Sequence, residues 1–110
     1  MSRVIKTAKY WLDRLTLPAR ARAARRSDRR GIHETDPGPA RVIAAGLAWL
    51  GHAQDMSASR DGGVARHFSL VNGWSSSYPE TTGYIVDTLL SVAEETSDRS
   101  LVERARRMLD

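Results

Sequence analysis

Cysteine is absent from this chain of 110 residues. That excludes disulfides, thiolate metal sites and a thiol nucleophile, and it fits a reducing compartment. Aromatic residues are scarce, at 6%. No run of 18 apolar residues occurs, so no transmembrane helix is expected. The N-terminus has no apolar core of the kind a secretory signal needs, and its Arg-rich, acid-poor start shares only composition with organellar transit peptides. A cytoplasmic location, peripheral at the membrane at most, is the expectation. The chain also has no Gly-x-Ser-x-Gly nucleophile elbow, no phosphate loop and no dinucleotide fingerprint. His33, His52 and His67 do not fall at metal-ligand spacing. Neither a metal nor a cofactor is expected.

What is present is divided by charge. The net charge is +4, yet residues 1–30 carry ten Lys/Arg against Asp13 and Asp28, a balance of +8. Residues 31–110 carry seven Arg against eleven Asp/Glu, a balance of −4. The basic character therefore belongs to the N-terminal segment, and it says nothing of nucleic acid for the mildly acidic remainder. No recognition fold accompanies the arginines, so nucleic-acid binding is not expected.

The spacing predicts a short amphipathic helix over residues 2–17, with Val4, Ile5, Ala8, Trp11, Leu12 and Leu15 on one stripe. Pro18 ends it. Residues 19–30, with six Arg and four Ala, either continue as helix or form a basic connector. This segment is a solvated charged face, or else it attaches to an anionic membrane surface or another acidic partner. Residues 31–38 form a breaker-rich linker, which makes the expected divisions 1–30, 31–38 and 39–110.

Pro39 opens a helix to about residue 54 that is apolar on nearly all sides, with Trp49 expected in its core. Asp61-Gly62-Gly63 is a turn requiring positive φ, and residues 64–71 read as a short extended segment. Pro79 fits the first position of the next helix, which runs to about residue 95. Ser97 or Asp98 caps a last helix with Leu101, Val102, Ala105, Met108 and Leu109 on one stripe and Arg104, Arg106 and Arg107 on the other face. Three amphipathic helices in so short a span offer more apolar surface than they can cover among themselves. The expectation is part of a larger helical array, or self-association.

The polar, aromatic stretch before Pro79 carries the candidate chemistry. Trp74 and Tyr78 are rings set beside Glu80, Thr81 and Tyr84 at a helix mouth, where unpaired backbone N–H groups favour negative charge. Carbohydrate sites combine aromatic faces with carboxylates and hydroxyls in this way. Hydrolysis would need two carboxylates, and Asp61 is the nearby second candidate to Glu80. Both also have plain roles, Glu80 as a first-turn acid and Asp61 in an Asp-Gly turn. His67 on the extended segment is a further candidate contact.

The strings Trp49-Leu50, Ala53-Gln54-Asp55, Asp61-Gly62-Gly63-Val64-Ala65, Gly73-Trp74 and Ser77-Tyr78-Pro79-Glu80-Thr81-Thr82-Gly83-Tyr84-Ile85 stand in a recognisable order. Residues 42–109 thereby resemble the first helical hairpins of α/α-toroid proteins of bacterial exopolysaccharide biosynthesis. These belong to the broad group of six-hairpin glycosidases, polysaccharide lyases, terpenoid cyclases and prenyltransferase subunits. The resemblance implies an all-α fold, a partial α/α toroid, in which inner and outer helices alternate around a cavity. It places Trp74, Tyr78, Glu80 and Tyr84 towards that cavity with Asp61 nearby, and it implies an oligosaccharide or polysaccharide ligand. A complete toroid of this group is several times longer.

Two functional classes follow. One is a glycan-directed toroid, binding or acting on polysaccharide as part of a lyase, hydrolase or epimerase. The other is a non-catalytic helical scaffold or truncated remnant whose basic N-terminus docks on a partner or membrane. Isoprenoid chemistry fits less well, since prenyltransferase toroids use a zinc site with a Cys ligand and no Asp-rich cyclase motif is present.

Overall fold

Residues 3–32 and 35–110 are described by a computed structural model, which is mostly helical. The chain divides into two units, Met1–Thr35 and Asp36–Asp110.

The first unit holds α1 (Arg3–Thr16) and α2 (Ala19–Arg30), separated at Leu17-Pro18. Proline has no N–H to continue the α1 ladder, so α1 stops before it. The Pro18 carbonyl then accepts from Arg22 N–H at 3.0 Å and starts α2. Of the two readings of residues 19–30, helix is the one observed. His33 falls outside the described residues.

The second unit holds α3 (Pro39–Asp55), a two-stranded antiparallel hairpin of β1 (Phe68–Ser69) and β2 (Gly73–Trp74), then α4 (Pro79–Thr96) and α5 (Arg99–Leu109). Pro39 and Pro79 each sit in the first turn of their helix, where the absent N–H leaves no bond unmade. Between α4 and α5 the turn needs only two residues. Ser97 adopts the left-handed conformation at φ 56°, and Asp98 caps α5 by accepting from Ser100 N–H at 2.9 Å. A two-residue connection folds α5 back against α4.

That pairing builds the core. Val86, Leu89 and Ala93 of α4 meet Leu101 and Ala105 of α5, with Leu47 of α3 packed alongside. A second cluster joins Ala53 of α3 to Val64 and Ala65, with Leu50, Trp74, Ile85 and Met108 around it. Ile85 and Met108 belong to both, so the hairpin and the helices share one continuous interior. The stripe expected on α5 is only half used: Leu101 and Ala105 are buried, while Val102 and Leu109 remain exposed.

The expected extended segment is real, though its named strand is short. Residues 64–69 run antiparallel to 73–78, with Phe68 opposite Trp74, Ser69 opposite Gly73 and a further bridge between Ala65 and Ser77. Bonds from Tyr78 N–H to Val64 O and from Ser75 N–H to His67 O, both 3.1 Å, continue the same register. No helix among the described residues is long and apolar enough to cross a membrane.

Candidate functional site

The hairpin register decides which side chains share a face. Side chains alternate along a strand, so Phe68, Trp74, Arg66 and Tyr78 fall on one face and His67, Ser75 and Ser77 on the other. The Trp74 ring lies edge-to-face with Phe68 at 4.9 Å between centroids and with Trp49 of α3 at 5.1 Å. Trp49, expected in the core, is 46% exposed. It sits at the C-terminal half of α3, where the hairpin covers only one of its sides. The outcome is a half-exposed aromatic cluster that no sequence spacing announces, because Trp49 and Trp74 lie on different elements.

Beside the cluster stands a polar relay. The Arg66 guanidinium lies 5.0 Å from the Tyr78 ring centroid, and the Tyr78 hydroxyl donates to Glu80 Oε2 at 3.1 Å. Thr81 and Thr82 hydroxyls donate to the Tyr78 carbonyl at 3.2 and 2.8 Å. The buried Thr82 hydroxyl also accepts from Val64 N–H at 3.1 Å, tying the helix mouth to the hairpin. Thr81 is thus engaged in the turn. Tyr84, one turn further along α4, is 72% exposed.

Asp61 belongs to a separate set. Its carboxylate accepts from the Ser77 hydroxyl at 2.7 Å and from Gly63 N–H at 3.1 Å, while Ser59 and Ser77 bond to each other. The Ser77 hydroxyl first, and the Gly63 N–H next, hold its carboxyl below the usual carboxylate range. It is therefore charged and occupied, a clasp between the turn and the second strand. Among the described residues no hydrogen bond joins Asp61 to Glu80. Of the expected site residues, Tyr78 and Glu80 are joined by a hydrogen bond, Trp74 falls on the same hairpin face as Tyr78, and His67 falls on the opposite one.

A latch between α3 and α5 was not legible in the sequence. Arg104 of α5 pairs in a two-pronged fashion with Asp55, both contacts 2.9 Å, and donates to Gln54 Oε1 at 3.0 Å. The buried Gln54 donates in turn to the carbonyls of Gly62 and Arg104 at 2.8 and 3.0 Å. Gly51 makes room for this, since a Cβ there would stand 3.2 Å from the Arg104 guanidinium carbon. Arg104 chiefly, with Arg107 adding to it, holds the Asp55 carboxyl below its ordinary range.

The Asp55 pair should give a pH signature. With a folded-state pKa below the unfolded value of about 3.9, unfolding takes up a proton. The pair's contribution is complete above that value and is lost as pH falls through the lower folded-state one. Both side chains are partly exposed, 27% for Arg104 and 42% for Asp55. Screening therefore limits the effect to roughly 0.5–1 kcal/mol. The difference in urea midpoint between the native chain and Asp55→Asn should shrink from about pH 5 to about pH 2. A difference that stays constant would mean that the pair does not stabilise the fold.

Among the described residues, no group of three or more His, Asp or Glu is placed to hold a metal ion. Comparison with protein-family models, with curated proteins and with solved structures finds no match to this chain. The site is therefore read from its own residues.

Proposed function

We propose that residues 36–110 are a helical-hairpin part of an α/α toroid and that the hairpin face carrying Trp74 binds carbohydrate. The observation that carries this reading is the half-exposed cluster of Trp49, Phe68 and Trp74 set beside Arg66, Tyr78 and Glu80. Sugar rings present C–H faces that stack on aromatic rings, and their hydroxyls need charged or polar partners at the edge. Arg66 adds a cation suited to a uronic-acid carboxylate. The toroid assignment draws on the resemblance of residues 42–109 and on α3, whose Val42 and Ile43 stay exposed on a helix apolar almost all round. Such a helix suits a place between two layers of an array.

Binding fits the geometry better than hydrolysis. A general acid must be able to hold a proton, whereas Asp61 is kept ionised by its donors and is spent on the turn. Titration of the chain with uronic-acid oligosaccharides, followed by amide and indole NMR shifts, is the test. The expected result is a shift of the Trp49 and Trp74 indole signals, with Arg66→Ala weakening the association by about tenfold. Arg66 is exposed, so its loss leaves the core intact. Absence of shifts at both indoles would remove the glycan reading.

A further inference from the structure

The N-terminal unit presents its apolar side outward. On α1, Val4 is 76% exposed, Trp11 54%, Leu12 62% and Leu15 76%, and no residue of the helix is buried. These four side chains and Ala8 fall within an arc of roughly 120° on the helix. Arg3, Val4, Thr7, Ala8 and Trp11 line an open depression along it. The side of α1 that meets α2 is a different one. Tyr10 accepts a hydrogen bond from Arg25 of α2 at 2.8 Å, and the Arg25 guanidinium lies 5.8 Å from the Tyr10 ring centroid. Two amphipathic helices joined by a short turn normally bury their apolar stripes against each other. Here α2 has no stripe to offer, since its twelve residues are four alanines, six arginines, Ser27 and Asp28, and its Arg25 engages Tyr10 on the polar side of α1.

Charge says what covers the exposed stripe. Residues 1–30 have a balance of +8. Arg22, Arg26, Arg29 and Arg30 are exposed, and among the described residues none of them forms an ion pair. On α1, Lys9 borders one edge of the stripe and Arg3 and Arg14 lie towards the other, where long cationic chains reach up to headgroups while the apolar side sinks. A nucleic acid would use the arginines and leave Leu12 and Leu15 in water. An anionic bilayer surface takes both, together with a tryptophan at the boundary.

We propose that residues 3–30 are an interfacial anchor that lays α1 flat in an anionic lipid surface, with α2 as a basic rail beside it. No span of the membrane is involved, since α1 is too short to cross one.

The test is sedimentation of the whole chain with sucrose-loaded vesicles of phosphatidylcholine mixed with phosphatidylglycerol, and with phosphatidylcholine alone. Each near-surface Lys/Arg contributes roughly a fivefold factor, so anionic vesicles should bind at least about a hundredfold more tightly than neutral ones. The double variant Leu12→Glu/Leu15→Glu should lose about tenfold or more of that binding. Its urea transition should stay unchanged, because neither side chain belongs to the core. Equal binding by the double variant would reduce the contact to charge alone and overturn the insertion. So would failure to bind anionic vesicles, or a concentration-dependent dimer that the double variant abolishes, which would make a second copy the occupant.

Discussion

Replacing Gly62 by alanine is expected to lower the stability of residues 36–110 by about 2–4 kcal/mol, from left-handed backbone strain plus a steric clash. Gly62 sits at φ 84°, where a Cβ is disfavoured in any surroundings. A Cβ at this position would also fall well inside contact distance of the Arg107 carbonyl oxygen. That neighbour is backbone of α5, and it cannot swing aside as a side chain would. Any shift would pull on the Gln54 amide, which donates to both Gly62 and Arg104 carbonyls at 2.8 and 3.0 Å. Gly46 is the control. It lies within α3 with open space around its Cβ direction, so Gly46→Ala should stabilise by about 0.5–1 kcal/mol through helix propensity. Urea denaturation followed by circular dichroism measures both. Equal and small effects would show that the turn and α5 are not in contact as described.

Leu89→Ala should cost about 3 kcal/mol, within the 2–5 kcal/mol range for truncating a buried leucine. Leu89 is 1% exposed and lies among Val86, Ala93, Leu101 and Ala105. Three of its neighbours are already small or β-branched, so little can collapse into the space it leaves. Leu90, next in sequence, is 41% exposed, and Leu90→Ala should cost under about 1 kcal/mol. The pair separates burial from composition, since both substitutions remove the same atoms from the same helix. Comparable losses would mean that α4 is rotated relative to the packing described.

The helices of the second unit were legible because their signals are local. Pro39 and Pro79 mark starts, Ser97 and Asp98 mark the sharp return, and the 3.6-residue recurrence of apolar positions carries the rest. Trp74, Tyr78 and Glu80 were legible as a group for the same reason, standing within one short stretch before and into α4. Trp49 was not, since its burial depends on how far a hairpin some 25 residues later in the chain covers α3. His67 was grouped with the rings by sequence proximity, and the two-residue period of the strand sends it to the other face. Arg104 read as one of three arginines on the face opposite the apolar stripe, yet it spans to Asp55 across a gap of 49 residues.

By itself, the sequence determined the helical class, the helix boundaries within residues 39–110, the turn glycine and the separation of a basic N-terminal segment from an acidic remainder. Each of these rests on backbone preference, hydropathy period or charge count, which act over a few residues and need no partner. Only the tertiary structure decided which side of each amphipathic element is covered. It set the face that Trp74 shares with Phe68 and Arg66, the commitment of Asp61 to a clasp and the latch between Gln54-Asp55 and Arg104. It also left the apolar side of α1 open. Burial and long-range pairing belong to two surfaces at once, and a pattern on one strand of chain specifies only one of them.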